Sequence, residues 1–319
     1  MSKVFVTRQI SGKALDELKQ EHEVEVYGGE GKISREELLE KVKGVGVILS
    51  TVTEQIDAQV LDAAGPGLRL VANYAVGYDN IDVAEATRRG IRVTNTPSAL
   101  GDAVAEFTVA LVLALSRRVV EADKFMREGK YAGWDPNLFL GLDLTKKTLG
   151  VVGPGTIGSV VGKRLQAVFE MEVVYYCRNR KKEFEAETGG RCVPLEELLR
   201  VADVVTIHVP LTSETRHMIG AKELALMKPT AILINTARGS VVEEGALVEA
   251  LSRRRIWGAA LDVFEEELAT EAAHLDPKDW QKLRELPNVI LTPHIASATQ
   301  EAREEMTRLA VSNIMKVLG

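Results

Sequence analysis

Short apolar runs alternate with amphipathic helical patterns along the first third of the chain. Runs such as VFVT, VEVY, VGVILS and IRVTN are typical of strands, and GKALDELKQ and REELLEKV between them are typical of helices. Strands that alternate with helices predict a parallel sheet whose two faces are both covered. We therefore expect a flavodoxin-like α/β domain in this part of the chain, with a strand order that the pattern leaves open.

A second alternating series follows and predicts another parallel sheet. Its candidate strands are Thr148–Val152, Glu172–Tyr176, Val204–His208, Ala231–Asn235, Ile256–Leu261 and Val289–Thr292. Strands joined by crossover helices in this way are typical of a doubly wound Rossmann domain. One more predicted helix, Gln300–Leu318, could cross back onto the first domain. We predict a flavodoxin-like domain from residues 1–98 and 290–319, and a Rossmann dinucleotide-binding domain from residues 99–289.

A stretch that breaks the periodicity, NTPSALGDAVAE, lies between the two series. Pro97 within it is the expected hinge. The apolar pattern that follows predicts one long helix from Asp102 to Gly129. The next residues, YAGWDPNLFLGLDL, lack periodicity and predict a surface loop around Trp134.

Composition narrows the class of protein. The chain has 319 residues, 45% of them apolar and 27% charged, which fits a globular protein of two domains. Its net charge of −6 argues against a nucleic-acid-binding protein. The richest apolar run, FTVALVLALS, is too short to span a membrane, and the first residues do not resemble a signal peptide. Cys177 and Cys192 are the only cysteines and no cluster has metal-ligand spacing, so we expect a cytoplasmic protein without a metal site.

The sequence GPGTIG follows a predicted strand and opens a predicted helix. Its glycines Gly153, Gly155 and Gly158 have the spacing of the dinucleotide-binding fingerprint. The first glycine permits a tight turn, the second lets the backbone approach a pyrophosphate, and the third allows close packing of helix on strand. The helix N-terminus, at Thr156 and Ile157, would supply N–H donors to the phosphates. The alternative is a turn with a purely structural role, which the flanking strand and helix make less attractive.

The end of the next predicted strand carries cations where many nucleotide-binding folds carry an acid. A carboxylate there would bind the ribose hydroxyls of NAD and repel a 2′-phosphate. This chain has Cys177, Arg178 and Asn179 instead, and the planar guanidinium of Arg178 suits a phosphate. We therefore favour NADP(H) as the cofactor and keep NAD(H) open. The alternative is a solvated basic turn that nearby acids balance, namely Glu183, Glu185 and Glu187.

Three later residues, Arg238, Asp262 and His294, each lie at the end of a predicted strand. Carboxyl ends of parallel strands line the ligand crevice in open α/β sheets. The arginine could bind a substrate carboxylate, and the histidine could give a proton to a ketone oxygen while an acid holds it. Such a set suits reduction of a 2-oxo acid. Taken singly, the arginine could be a surface charge, the histidine a core residue, and Glu265–Glu267 a solvated turn.

Six ordered motifs extend this picture over nearly the whole chain. They are AVGYDNID, GPGTIG, HVPLTSET, INTARG, LDVFEEE and LTPHIAS. With these motifs the chain resembles the D-isomer-specific 2-hydroxyacid dehydrogenases, and most closely their glyoxylate/hydroxypyruvate reductase branch. The resemblance implies an enzyme that transfers hydride from NAD(P)H to a small 2-oxo acid and forms glycolate or D-glycerate.

The resemblance also implies roles for individual residues. Arg238 would bind the substrate, His294 would be the acid/base, and Glu267 would pair with that histidine. The backbone amides of Val76 and Gly77 would bind the substrate carboxylate. Beyond the glycine-rich loop, cofactor contacts are implied for Cys177, Arg178, Asn179, Pro210, Thr215, Thr236, Ala237, Arg238, Asp262, His294 and Ala296.

The chain departs from the family pattern in two places. The segment LQAVFEMEV is one residue longer than is usual there, which bears on the implied ribose contacts. Leu268 replaces the proline that usually follows the catalytic glutamate, so Glu266 could compete with Glu267 for that role. Within the cofactor site, Asp262 would accept a hydrogen bond from the nicotinamide carboxamide. His208 is interpreted as a residue that lines the adenosine side and has no catalytic role.

Two other functions compete with this reading. An NAD-dependent phosphoglycerate or D-lactate-type dehydrogenase is the main alternative, although the loop NYAVGY has no cation for a phosphate ester. A dinucleotide-sensing corepressor would keep the same motifs and capture a protein partner without rapid turnover. The resemblance implies a homodimer, with the helix from Asp102 and the Trp134 loop as the expected contact.

Overall fold

The structure, a computed structural model, describes residues 1–97, 99–265 and 277–319. The chain divides into two compact units, one of Met1–Leu100 with Ser297–Gly319 and the other of Gly101–Ala296. Each unit is built on one parallel sheet, with five strands in the first unit and seven in the second. The predicted fold class, two doubly wound parallel-sheet domains, is confirmed.

The first unit has the flavodoxin-like strand order. Its strands are β1 (Lys3–Val6), β2 (Glu23–Val26), β3 (Val47–Ser50), β4 (Leu70–Asn73) and β5 (Arg92–Thr94). The helices between them are α1 (Lys13–Glu21), α2 (Arg35–Lys41), α3 (Ala58–Ala64) and α4 (Val83–Arg88). The strands lie in the order β2-β1-β3-β4-β5. Every residue of β3 and β4 is buried, as expected for inner strands of a sheet covered on both faces.

Polar side chains begin three of these helices. Ser34 accepts a hydrogen bond from the Glu37 backbone and forms a capping box at α2. The carboxylates of Asp57 and Asp82 accept backbone N–H bonds in the first turns of α3 and α4. Each cap satisfies a donor that has no partner within the helix and contributes about 1 kcal/mol.

The C-terminal helix, Gln300–Leu318, belongs to the first unit. The Thr307 hydroxyl donates to the carbonyl oxygen of Ser11 and lies 3.0 Å from the hydroxyl of Tyr74, which follows β4. A Cβ atom at Gly12 would lie 2.8 Å from the Thr307 Cβ, so glycine is required where α1 begins. The helix is therefore fixed to the segments that follow β1 and β4, at the carboxyl ends of these parallel strands.

The second unit has the Rossmann strand order. Its strands are β6 (Thr148–Val152), β7 (Glu172–Tyr176), β8 (Arg191–Cys192), β9 (Val204–Ile207), β10 (Ile232–Asn235), β11 (Gly258–Leu261) and β12 (Val289–Leu291). Its helices are α5 (Gly101–Ser116), α6 (Val119–Arg127), α7 (Thr156–Phe169), α8 (Lys182–Thr188), α9 (Leu195–Val201), α10 (Ala221–Leu226), α11 (Glu244–Ser252) and α12 (Pro277–Glu285), with a 3-10 turn at Gly239–Val241. The strand order β12-β11-β10-β9-β6-β7-β8 reverses between β6 and β9, which is where such sheets bind nucleotides.

Both faces of the second sheet are buried. Along β10, Ile232 and Ile234 pack into the core that α5 and α7 cover, while Leu233 packs into the core on the opposite face. Successive strand residues point to opposite faces, so two buried faces require the continuous apolar run ILI. This is why the sequence showed unbroken apolar runs here.

The predicted single helix from Asp102 to Gly129 is wrong. The structure has two helices, α5 and α6, separated at Arg118, whose φ of 54° is left-handed. The carbonyl oxygen of Ser116, which a continuous helix would bond to residue 120, accepts instead from the backbone N–H of Leu142, at 2.8 Å. No glycine or proline occurs at this break, so the apolar pattern of the sequence does not indicate that a helix ends there.

Two further details differ from the sequence interpretation. Strand β8 was missed because it has only two residues, both exposed. The units divide after Leu100 and after Ala296, whereas the sequence placed the boundaries at residues 98 and 290. The later boundary lies at Ala296 and not at residue 290 because β12 pairs with β11 and so belongs to the second sheet. None of the helices in the described ranges is long and apolar enough to cross a membrane.

Candidate active site

The residues expected to take part in catalysis lie just after the carboxyl ends of three neighbouring strands of the second unit. Arg238 follows β10, Asp262 follows β11 and His294 follows β12. These strands lie side by side in parallel, and neighbouring strands are about 4.8 Å apart. The sheet therefore brings the three residues to the same edge of one rigid layer.

Asp262 fixes the turn that carries His294. Its side chain is fully buried, and its Oδ1 atom accepts from the Thr292 hydroxyl at 2.6 Å and from the Ile295 N–H at 2.9 Å. Its Oδ2 atom accepts from the Ala296 N–H at 2.8 Å. A buried carboxylate needs such donors, and charge-assisted bonds of this kind are worth about 1.5–3 kcal/mol each. The turn is thus held on both sides of His294.

His294 itself has an unusual backbone conformation. Its φ is 53°, in the left-handed region that a residue with a side chain rarely adopts, and its N–H donates to the Thr292 carbonyl at 3.1 Å. Pro293 precedes it and is compatible with a tight turn. Strained backbone of this kind persists where surrounding contacts impose it, and here those contacts come from Asp262.

Arg238 lies in a second constrained turn. The buried side chain of Asn235 donates to the Arg238 carbonyl at 2.9 Å and accepts from the Ala237 N–H at 3.1 Å. A Cβ atom at Gly239 would lie 1.9 Å from the carbonyl carbon of Phe264, so no other residue fits after the arginine. These contacts restrict the backbone from which the half-buried Arg238 side chain extends. The sequence analysis did not single out Asn235, which ends β10, or Thr292, which follows β12.

Glu267 and Glu266, the two candidates for the partner of His294, lie outside the described residues. Glu265 is described, and it is not the plain solvated turn that the sequence allowed. Its Oε1 atom accepts from His217 Nε2 at 2.8 Å, and its N–H donates to the buried carboxylate of Glu244 at 2.7 Å. The chain is thus anchored two residues before Glu267.

The glycine-rich loop has the form of a phosphate site. Gly153 has a φ of 89°, and a Cβ atom on Gly158 would lie 2.5 Å from the Gly153 carbonyl oxygen. At Gly155, by contrast, a Cβ atom would meet nothing within 4 Å, which leaves open space above the backbone. The N–H groups of Thr156 and Ile157, in the first turn of α7, have no backbone acceptor in the described part of the chain. These residues fit a pyrophosphate.

The cations after β7 have different surroundings. Arg180 donates from Nε to both oxygens of Glu185, at 2.7 and 2.9 Å, so this pair forms part of a balanced basic turn. Arg178 is exposed, and no ion pair or hydrogen bond of its side chain occurs within the described ranges. The pKa of Glu214, in the loop after β9, is lowered mainly by a hydrogen bond from Thr212 and to a lesser degree by the charge of Arg178. The charge of Arg178 is therefore close enough to the loop after β9 to act on Glu214.

The remaining predicted contacts have the following positions. Thr215 Oγ1 donates to the Pro210 carbonyl at 2.6 Å and closes the loop after β9. Thr236 Oγ1 lies 3.0 Å from the hydroxyl of Thr108 on α5, which fixes the end of β10. Cys177 donates from Sγ to the Asn179 carbonyl at 2.7 Å. Ala237 and Ala296 belong to the turns of Arg238 and His294. Val76 and Gly77 belong to the first unit, in the loop after β4.

His208 packs beneath the glycine-rich loop. A Cβ atom on Gly158 would lie 3.1 Å from the His208 Cβ, and the His208 Nε2 atom lies 2.8 Å from the Thr206 hydroxyl. Burial lowers the pKa of His208 to about 3, so its imidazole is neutral at physiological pH. The His208 side chain thus packs against the glycine-rich loop, and its role on the adenosine side stays a prediction. No group of three or more metal-ligating side chains is placed to hold an ion within residues 1–97, 99–265 and 277–319.

Comparisons with known proteins extend these observations. The family profile described as D-isomer specific 2-hydroxyacid dehydrogenase, NAD binding domain, matches residues 109–296. A glyoxylate reductase from Thermococcus gammatolerans is 51% identical over 317 residues, which cover 98% of this chain and 92% of that protein. A solved structure of a Thermus thermophilus protein is 46% identical, with a TM-score of 0.89 and coverage of 99% of this chain and 96% of that one.

A solved structure of an NADPH-dependent glyoxylate/hydroxypyruvate reductase from Sinorhizobium meliloti, in complex with NADP and malonate, is also similar. It is 31% identical, with a TM-score of 0.84 and coverage of 100% of this chain and 94% of that one. The family profile and the glyoxylate reductase relatives show that the chain is an oxidoreductase that uses a nicotinamide dinucleotide. More narrowly, the chain belongs to the D-isomer-specific 2-hydroxyacid dehydrogenase family. The predicted family and enzyme class are confirmed.

The lowered pKa of His208 gives a prediction for the protein without dinucleotide. We expect the His208 imidazole to stay neutral from pH 8 down to pH 5, measured by the NMR shifts of its ring, which the spectrum of His208→Asn identifies. The unfolded chain takes up a proton near pH 6.5. The contribution of His208 to stability is therefore complete above that pH and is lost as the pH falls towards 3. A ring that titrates near pH 6.5 in the folded protein would contradict the prediction.

Proposed function

We propose that this chain is a glyoxylate/hydroxypyruvate reductase that forms glycolate and D-glycerate with NAD(P)H as the reductant. The observation that carries the proposal is the placement of Arg238, His294 and the glycine-rich loop along one sheet edge of the second unit. The relatives named glyoxylate reductase, similar over almost the whole chain, support the same substrate class. We assign substrate binding to the first unit and dinucleotide binding to the second.

The proposed chemistry assigns one task to each side chain. The guanidinium of Arg238 forms two parallel hydrogen bonds to the substrate and so fixes the orientation of its carbonyl. Protonated His294 donates its proton to the ketone oxygen as the carbonyl carbon is reduced, and Glu267 stabilises the charged imidazole. When bound, the reduced nicotinamide supplies the hydride. The atoms balance because the carbon gains the hydride, the oxygen gains the proton, and the product is a 2-hydroxy acid.

The cofactor assignments extend the same proposal. The phosphates bind at Gly155, Thr156 and Ile157, and the carboxamide of the nicotinamide donates to Asp262. Backbone amides of Val76 and Gly77 bind the substrate carboxylate. Contacts to the rest of the dinucleotide are assigned to Gly153, Gly158, Cys177, Arg178, Asn179, Pro210, Thr215, Thr236, Ala237, Arg238, His294 and Ala296.

We also propose that NADPH is preferred over NADH. Arg178 is exposed without an internal partner in the described chain, whereas Arg180 is engaged by Glu185. A guanidinium with uncommitted donors at the end of β7 suits the 2′-phosphate, and the position has no acid to repel it.

The chain is proposed to form a homodimer. Large apolar side chains are exposed on α6 and the loop that follows it, and Trp134 is 82% exposed. A second copy of the chain would cover these side chains, which lie close together in sequence. Sedimentation velocity of the full chain tests this proposal, and a monomer at micromolar concentration would contradict it.

Replacing His294 by Asn tests the catalytic assignment. We expect kcat with glyoxylate to fall by about 10²–10⁴-fold, because general acid catalysis contributes that much, while dinucleotide affinity stays the same. Steady-state rates and dinucleotide fluorescence titration give the two quantities. His22→Asn, the same change next to the C-terminus of α1, is the matched control and should leave both unchanged. Near-normal turnover by His294→Asn would refute the assignment.

Replacing Arg178 by Ala tests the cofactor assignment. We expect kcat/KM for NADPH to fall by about 10–100-fold, since a charge-assisted bond to a phosphate is worth about 1.5–3 kcal/mol, and kcat/KM for NADH to stay within about two-fold. Arg180→Ala, which removes a cation already paired with Glu185, is the matched control and should have a smaller effect on NADPH. A wild-type preference for NADH would show instead that these residues form a solvated basic turn.

A further inference from the structure

Three consecutive peptide groups after β4 have their carbonyl oxygens fixed. The carbonyl of Ala75 accepts from the backbone N–H of Thr96 at 2.8 Å. The carbonyl of Val76 accepts from the Asn95 side chain at 2.8 Å, and the carbonyl of Gly77 accepts from the Asn73 side chain at 2.7 Å. Two of the three clamps are therefore side-chain amides, in a loop that no strand pairing holds.

A fixed carbonyl also fixes the direction of the next N–H group. Every peptide bond described is trans and planar, so the N–H of a peptide group points away from its own C=O. The three clamps therefore orient the N–H groups of Val76, Gly77 and Tyr78. None of these three N–H groups has an acceptor in the described ranges 1–97, 99–265 and 277–319. Oriented backbone donors in succession are suited to an anion.

The clamp on Gly77 is itself held in a buried network. Asn73 accepts from the Ser50 hydroxyl at 3.1 Å and donates to the Asn80 side chain at 3.2 Å. Asn80 donates in turn to the carbonyl oxygens of Thr51 and Glu54, both at 2.9 Å. Asn73 and Asn80 are each only 1% exposed. The orientation of their amides is therefore set by partners on every side, and the loop cannot turn its peptide groups without breaking several buried bonds.

We propose that Asn95 and Asn73 are positioning residues that aim the N–H groups of Val76, Gly77 and Tyr78 at the substrate carboxylate. This inference rests on the proposed function, and it adds the Tyr78 N–H as a third donor. Donors that are fixed before binding bind an anion without having to reorganise. Because the donors are backbone groups, they favour a carboxylate without requiring a cation in the loop.

The test compares variants of Asn95, which is half-buried and outside the Asn73 network. With saturating NADPH or NADH, KM for glyoxylate and Ki for oxamate, a carboxylate that is not reduced, are measured for each variant. We expect both constants to rise about ten-fold in Asn95→Ala. We expect a larger rise in Asn95→Asp. The aspartate carboxylate cannot donate to the Val76 carbonyl, and repulsion between the two acceptors turns the peptide group. The KM for the dinucleotide and kcat are expected to stay within about two-fold.

Asn313→Ala is the matched control. Its amide donates to the backbone carbonyl of Asn95 at 3.2 Å, so the change removes a bond to the same residue without touching the clamp on Val76. We expect KM and Ki to be unchanged in this variant. Unchanged constants in both Asn95 variants would overturn the proposal. It would also fail if the Asn313 variant lost as much, or if kcat and dinucleotide affinity fell together with substrate affinity, since these results indicate a purely structural role.

The proposed function and the positioning role can fail separately. A wild type that reduces no 2-oxo acid would refute the proposed function. Calorimetric binding of oxamate to the dinucleotide complex would then still test the clamp, which predicts weaker binding by Asn95→Ala than by wild type or Asn313→Ala. A wild type that binds no oxamate would overturn the positioning role as well.

Discussion

The buried carboxylate of Asp262 is the constraint on which the geometry of the second unit's sheet edge depends. A charge with no exposure to water needs donors, and the sequence supplies them from one turn, through Thr292, Ile295 and Ala296. The same bonds hold His294 in a left-handed backbone conformation. A turn without this anchor would relax, and the imidazole would no longer project from a fixed point. The hydrogen bonds of Asp262 that stabilise the sheet edge therefore also fix the position of the His294 side chain.

Polar side chains hold other turns of the molecule by hydrogen bonds to the backbone, as Asp262 holds the turn of His294. Asn235 holds the turn of Arg238, and Asn73 and Asn95 hold the loop after β4. In each case a short polar side chain bonds to backbone just beyond a strand, where the sheet ladder no longer satisfies backbone groups. The strands themselves are apolar and rigid, so functional groups can be displayed from irregular backbone without losing precision. Each of these bonds is partly buried, so water competes for them less than it would at an open surface.

Strong periodic patterns allowed much of the fold to be predicted from the sequence. The strand Val204–Ile207 and the glycine-rich turn from Gly153 to Gly158 depend on the local sequence alone, and the structure contains both. The break at Arg118 could not be predicted, because it depends on a distant N–H, that of Leu142, which takes the Ser116 carbonyl. The partners of Asp262 and Asn95 are likewise set by tertiary contacts, which periodicity does not encode. Glu267 could be placed in sequence only, since it lies outside the described residues.

The most direct test of the account is the product that the wild-type protein forms from hydroxypyruvate with dinucleotide deuterated in the transferred position. We expect D-glycerate that carries one deuterium at C2, because the hydride goes to the carbonyl carbon and the proton goes to its oxygen. Chiral chromatography with mass spectrometry reads the configuration and the label together. L-Glycerate, deuterium at another carbon, or no consumption of the dinucleotide with either hydroxypyruvate or glyoxylate would contradict the account.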